Sequence, residues 1–406
     1  MTQLLFCVVL VMPILAKAQI LTLSGKVTDS ESNLPLSFAT ITIRGSAIGT
    51  VSNVSGEFDF HFPASLREGT LVVSYLGYGS FSARIASLHL DESLSIRLRP
   101  APVLLKEVMV EADDLSGKEI VGKAMAGIEK NYGIAPFCLQ GFFREIEEEN
   151  GKYVLLTEAA LDVFDKGYGD KRVHGFGGVS VSLKEGRQSI RYSGRYDKDN
   201  PGFALADLLE NNDVRYRRGM LDTAINTYSL DSILSYGDRS VYAVSMRNAT
   251  DSGYLYIDTE NYAIHSVTME RKSRDAHLKY YQLFEGDSLD IGRVYFRFTL
   301  SFREYQGKLY IHRMHESELN EIHDPETKSV RIASTESLEF ITNQVLPGAT
   351  RQDARPLNFR TKLDIGEYHE DFWASYNMLK LTPLNEKLIS DLEREVSLKE
   401  QFKKPK

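Results

Sequence analysis

Phe58-Asp59-Phe60-His61-Phe62 decides the reading of the first part of this chain. Three phenylalanines alternate with two polar residues, so a strand there places all three rings on one face. The same period of two recurs on both sides. Leu21, Leu23 and Val27 come before it, Ala39, Ile41 and Ile43 alternate with Thr40 and Thr42, and Leu94, Ile96 and Leu98 close the series. Turn chemistry bounds the runs at Asn33-Leu34-Pro35, Gly45-Ser46, Ser55-Gly56 and Glu68-Gly69. Short strands with one apolar face each can bury that face only against a second sheet, which predicts a β-sandwich from Leu21 to about Pro100.

Working outward, the segment before the sandwich reads as a leader. Leu4 to Ala16 is apolar except for Pro13 and ends in Ala16-Lys17-Ala18, the h-region and small-x-small site of a secretory signal peptide. Cleavage is expected between Ala18 and Gln19, and the apolar run falls short of the roughly 20 residues that span a bilayer. No second long apolar segment follows, so no transmembrane helix is expected in the mature chain. Cys7 lies inside the leader, where Leu5 and Phe6 replace the small residues of a lipoprotein attachment site. Cys138 then stands alone and forms no internal disulfide; between Phe137 and Leu139 it reads as a small buried hydrophobe on a strand. Over 406 residues the net charge is −8, which offers neither the basic face that nucleic acid requires nor a polybasic patch for anionic lipid. The 21 tyrosines and 20 phenylalanines suit pleated surfaces and favour a β-rich fold.

The sandwich carries a specific resemblance. Ser24-Gly25-Lys26-Val27-Thr28-Asp29, Leu34-Pro35-Leu36 and Ala39-Thr40-Ile41-Thr42-Ile43 look like the opening strands of a carboxypeptidase regulatory-like domain. Gly49-Thr50-Val51-Ser52-Asn53-Val54-Ser55-Gly56-Glu57-Phe58 resembles the turn that follows in that family, and Leu71 to Tyr78 resembles its next strand, ending in Gly-Tyr. The resemblance implies a transthyretin-like sandwich over residues 19–100, of the kind found at the N-termini of Bacteroidetes TonB-dependent receptors and related surface proteins. In those receptors a Leu-x-Glu-Val-x-Val segment leads into the plug, and Leu104 to Ala112 is similar to it. The roughly three hundred residues that remain are too few for a plug and a long barrel. Residues 101–115 are therefore expected to be a linker strand, with edge addition to a partner as the competing role.

Residues 116–406 read as a second, α+β domain built on a large curved antiparallel sheet. Ser116-Gly117-Lys118-Glu119 is a capping box, Ile120, Val121, Ala124 and Ile128 share a helical face, and Asn131-Tyr132-Gly133 ends that helix. From Phe137 the pattern turns to long strands, with hairpins at Asn150-Gly151 and Gln306-Gly307. Ser240 to Met246, Gly253 to Asp258 and Ala263 to Arg271 predict a meander, and Asn385 to Lys399 an amphipathic helix with Leu388, Ile389, Leu392 and Val396 inward. Tyr254 to Ile264 is similar to paired strands of lipoprotein-carrier-type half-barrels, and Asp371 to Asn377 looks like a closing motif of Bacteroidetes proteins with the same N-terminal domain.

Chemistry is sparse. His315 to Glu318 and His323 to Glu326 spell His-x-x-Glu, but residues three apart on a strand face opposite ways, and the second string carries Pro325. His312 and His315 share the geometric objection and read as surface or partly buried histidines. Glu145, Glu147, Glu148 and Glu149 read as a solvated strand end. No Gly-x-Ser-x-Gly elbow is found. No residue is assigned as catalytic, cofactor-binding or metal-binding. Arg187, Arg191 and Arg195 are the candidate contacts for an anion or partner, weighed against an internal salt-bridge network. The expected function is a non-enzymatic, exported envelope protein. Its second domain takes a hydrophobic or lipid-like ligand or a protein partner, while the sandwich docks or stabilises. The alternatives are an assembly partner of a TonB-linked outer-membrane complex and an envelope hydrolase.

Overall fold

In the computed structural model the fold is mainly β, and the phenylalanine alternation sits where the sequence places it. The structure describes residues 19–101, 104–105, 115–169, 178–192, 205–206, 208–209, 213–214, 221–272, 277–281, 288–324, 327–352, 354–357, 363–380 and 386–403. The first strands are β1 (Ile20–Asp29), β2 (Thr40–Ile43), β3 (Gly49–Val51), β4 (Glu57–Pro63), β5 (Thr70–Ser74), β6 (Phe81–Arg84) and β7 (Leu94–Leu98). They form two sheets, in the orders β4-β1-β7 and β3-β2-β5-β6. Phe58, Phe60 and Phe62 meet Leu23, Val27, Ile41, Ile43, Leu71, Val73 and Ile96 between the sheets, none more than 2% exposed. Each ring buried this way contributes about 1.5–3 kcal/mol, and a one-residue slip would turn all three outward. Gly56 turns into β4 at φ +76°, where a Cβ would also collide with the Val27 carbonyl.

The remaining strands form one antiparallel sheet. They are β8 (Leu104–Leu105), β9 (Phe137–Glu149), β10 (Lys152–Asp165), β11 (Val179–Gln188), β12 (Thr227–Tyr236), β13 (Arg239–Arg247), β14 (Asp251–Asp258), β15 (Ile264–Lys272), β16 (His277–Tyr281), β17 (Ser288–Tyr305), β18 (Lys308–His323), β19 (Val330–Pro347) and β20 (Arg355–Pro356). The order is β20-β11-β10-β9-β19-β18-β17-β15-β14-β13-β12-β8, with β16 beside β17. Asn150-Gly151 and Gln306-Gly307 close their hairpins with both residues at positive φ (48° and 78°; 52° and 72°), the backbone that tight hairpins demand. Leu104 and Leu105 pair with Ile233 and Ser232 of β12, so the start of the linker strand joins the sheet of its own chain. Lys106 to Ala112 lie outside the described residues, as do Met1 to Ala18.

The sheet has two different faces. Its core face carries Phe143, Leu161, Val267, Met269, Phe296, Phe298, Leu300, Met314 and Phe340. That face is covered by helix α1 (Gly117–Ala126) through Ile120, Val121 and Ala124, and by Leu205, Ala206, Leu208 and Leu209. Ser116 caps α1 reciprocally with Glu119, and α2 (Ile128–Asn131) ends at Tyr132. The other, outer face receives the sandwich. Val51 packs there with Phe142, Ala160, Ile341, Trp373 and Leu379, and Phe38 lies 3.6 Å from the Arg313 guanidinium.

A C-terminal segment clamps the two parts. After α3 (Glu370–Trp373), Asn377 accepts from the His61 amide at 2.7 Å and donates to the His61 carbonyl at 2.8 Å, occupying the free edge of β4 as a strand would. Lys380 adds a pair to Asp59 at 3.2 Å. Asn377 is 8% exposed, so Asn377→Ala should cost about 1–3 kcal/mol in urea denaturation, two buried hydrogen bonds' worth. An unchanged midpoint would show the clamp to be incidental. The expected single helix over Asn385 to Lys399 is instead two, α4 (Glu386–Leu392) and α5 (Leu398–Phe402). Ser397 caps the second by accepting from the Glu400 amide, which breaks the helix at that point and leaves Val396 only half-buried.

Candidate functional site

Alternation on β12, β13, β14 and β15 sends Leu230, Val244, Met246, Leu255 and Val267 to the core, and the residues between them outward. Beside the sandwich those outward residues floor an open groove of about 810 Å³. Tyr254 and Tyr256 lie along it with ring centroids 6.1 Å apart and planes within 14°. Asp231, Ser245, Thr268, Glu270 and Arg297 supply polar groups around them. Ser245 donates to Asp231 at 3.0 Å, and Arg297 stands 3.7 Å from Glu270. Burial, then the neighbouring Tyr254, Tyr75 and Asp231, raise the Tyr256 hydroxyl above its ordinary pKa, so it is a neutral donor at physiological pH. Tyr75 belongs to the sandwich, whose loop is tied on by Gly77 donating to the Ser235 carbonyl at 2.8 Å. The sequence places Gly253 to Asp258 in a meander and likens Tyr254 to Ile264 to half-barrel strands, without assigning either tyrosine to a site; the aromatic repeat at two-residue spacing was the available signal.

A second concavity, about 400 Å³, lies at the β11 edge between Val181 to Gly186, Arg355 and Leu363 to His369. It gathers Lys184, Glu185, Arg355, Asp364, Glu367 and His369. Glu185 accepts from the His369 amide at 3.1 Å and lies 2.9 Å from its Nδ1, and this carboxylate raises the imidazole pKa. Lys184 pairs with Asp162 at 2.8 Å, and Arg355 with Asp364 at 2.6 Å. Among the described residues no serine, threonine or cysteine hydrogen-bonds His369.

The arginine candidates are drawn inward. Arg187 is 9% exposed, with Nε 2.6 Å from Glu158, and its guanidinium lies over Trp373 at 4.5 Å. Arg191 pairs with both oxygens of Glu147, at 2.6 and 2.7 Å. The two are therefore engaged by different carboxylates and do not form one open patch, which is the internal-network arrangement; Arg195 lies outside the described residues. The glutamate run also differs from expectation. Glu145 is only 4% exposed, and its carboxylate lies with those of Glu147 and Glu336, oxygens mutually within 4.8 Å. Alternation puts Glu145 and Glu147 on the core face, and β19 brings Glu336 opposite Glu147. His312, expected at or near the surface, is 0% exposed. His315 and Glu318 do face opposite ways: His315 meets Glu339 at 3.1 Å, and Glu318 meets Arg293 at 2.7 Å. Of the second string, Glu326 is outside the described residues. Cys138 is buried and its thiol is pushed up to about 12, chiefly by burial, which makes it inert as a nucleophile.

Residues 23–110 match the family model of the CarboxypepD_reg-like domain. No curated protein matches the chain. Among solved structures, a LolA superfamily protein from Nitrosomonas europaea is similar at 13% identity and a TM-score of 0.25, covering 58% of this chain and 96% of that one. Lipovitellin, described for its lipid–protein interactions, is similar at 9% identity and a TM-score of 0.27, covering 59% of this chain and 28% of that one. At this level of superposition neither carries an argument about function. Among the described residues no helix is long and apolar enough to cross a membrane.

Proposed function

We propose that this chain is an exported, non-enzymatic binding protein of the bacterial envelope. In this reading the sandwich of residues 19–100 braces the sheet domain of residues 116–406, which takes an oligosaccharide-like ligand in its outer groove. The observation that carries the reading is the paired Tyr254 and Tyr256 rings set among Asp231, Ser245, Thr268, Glu270 and Arg297. Flat aromatic faces flanked by hydroxyls and carboxylates match a ligand with apolar ring faces and equatorial hydroxyls. An extended peptide is less suited, because β13, β14 and β15 are paired on both sides and offer no free ladder edge. A lipid cargo belongs on the core face, where it would have to displace α1 and Leu205, Ala206, Leu208 and Leu209.

Calorimetric titration of the mature protein with a panel of envelope oligosaccharides tests this reading, alongside native mass spectrometry of protein purified from its own envelope. Tyr256→Ala should weaken the best ligand at least tenfold, about 1.4 kcal/mol, while leaving the urea midpoint within about 1 kcal/mol of wild type. A lipid-sized adduct with no oligosaccharide binding, or binding indifferent to Tyr256→Ala, would overturn it.

A further inference from the structure

Beneath the sandwich lie two basic side chains that have no counter-charge among the described residues. Arg303 on β17 is 8% exposed and His312 on β18 is 0% exposed. Arg303 donates from Nη2 to the Ala47 carbonyl at 2.8 Å, but among the described residues its Nε and Nη1 have no hydrogen-bond partner, and neither ring nitrogen of His312 has one. Two β-bulges place this group. The β17–β18 register steps from Ser301–Arg313 to Phe302–Ile311, leaving His312 as the extra residue. A bulge re-aims its side chain, and here it brings the imidazole under the fields of both Arg303 and Arg313. On β19 the register steps between Thr342 and Gln344, and the extra residue, Asn343, is 6% exposed with an unpartnered Oδ1. The sandwich closes over them: the Val345 amide donates to the Ala47 carbonyl at 3.1 Å, and Ile48 bridges to Gln344.

The charges around these two side chains do not balance among the described residues. Arg313 is neutralised by Glu339, with Nη2 at 3.0 Å, and Glu339 also holds His315 at 3.1 Å. Among the described residues no carboxylate pairs with Arg303, and the neighbour that favours its cation is the Tyr236 hydroxyl. Burial, then Arg303 and Arg313, push the His312 imidazole well below its ordinary pKa, so it is neutral and has one N–H to donate. A guanidinium taken from water without a counter-ion costs several kcal/mol, and a fold that keeps one in its interior needs a negative charge there. The Gly49 backbone is pressed against the guanidinium, so that a Cβ there would strike Nη1, which restricts the occupant to something small.

We infer that Arg303 and His312 bind a single small monovalent anion, of chloride size, sealed between the sandwich and the sheet. The ion completes the interface: it accepts from Nε or Nη1 of Arg303 and from the His312 ring, and it is independent of the groove.

The test is thermal unfolding of the mature protein in sodium chloride, bromide or gluconate at constant ionic strength, with crystals grown in bromide. Chloride and bromide should stabilise saturably, multiplying the folded-to-unfolded ratio about a hundredfold at 100 times the dissociation constant. Gluconate should have no such effect, and Arg303→Met should lose the halide dependence. An anomalous bromide peak beside Arg303 and His312 is expected, and it decides the matter even if Arg303→Met fails to fold. Equal stability in chloride and gluconate, or an ordered water where the bromide should be, would overturn the inference.

Discussion

Glu158→Gln should destabilise the protein by about 3–5 kcal/mol at pH 7, read by urea denaturation, because it strands two buried guanidinium groups at once. Glu158 is 1% exposed on β10. Its Oε1 accepts from Nε of Arg144 at 2.7 Å, and its Oε2 from Nε of Arg187 at 2.6 Å. Arg144 continues to the Leu379 carbonyl at 2.7 Å, and Arg187 stacks on Trp373, so one carboxylate ties β9, β10 and β11 to the C-terminal segment. Burial works against the charged form of Glu158, but Arg144 and Arg187 outweigh it and hold the pKa below the ordinary 4.5. A depressed carboxylate contributes stability that is present above about pH 4.5 and lost as pH falls through the folded-state value. The deficit of Glu158→Gln should therefore shrink in acid. Trp373 is the chain's single tryptophan, so its near-ultraviolet dichroism reports whether the segment loosens. A deficit under about 1 kcal/mol would mean that the two arginines find other acceptors.

Legibility in the sequence followed locality. The sandwich could be read because each strand announces its own buried face, as in Phe58, Phe60 and Phe62, and each turn its own backbone, as at Gly56. The hairpins at Asn150-Gly151 and Gln306-Gly307 were equally local. What failed depended on partners far along the chain. Glu145 and Glu147 share a face by simple alternation, yet nothing near them signals that Glu336 will lie opposite Glu147. His312 and Asn343 are aimed by bulges, register steps that leave no pattern in a single strand. The groove fell between these cases. Tyr254 and Tyr256 are visible as a repeat, but an outward tyrosine pair reads the same on any half-exposed strand until the sandwich is seen beside it. The break in the last helix was local and still missed, because Ser397 is a cap only if the helix stops before it.

The same exchange of Glu for Gln should have the opposite sign at residue 336. On the core face Glu336 stands opposite Glu147 on one side and Glu318 on the other. Burial, then Glu318, Glu145, Glu147 and Glu316, raises its pKa well above 4.5. Arg191 and Arg293 offset Glu147 and Glu318, but among the described residues no cation pairs with Glu336 itself. A raised carboxylate leaves stability fully present below about pH 4.5, where it is protonated whether folded or not, and removes it as pH climbs through the folded-state value. Across that interval one proton corresponds to about 1.4 kcal/mol per pH unit. Glu336→Gln has nearly the same shape and no charge to lose. Its urea stability should therefore run parallel to wild type at about pH 4 and exceed it increasingly toward pH 7. A constant offset across that range would mean that Glu336 is ionised and compensated in the folded protein. Glu158 and Glu336 differ in what the sheet sets beside them, two guanidinium groups in one case and four carboxylates in the other, and that difference alone fixes which substitution harms and which helps.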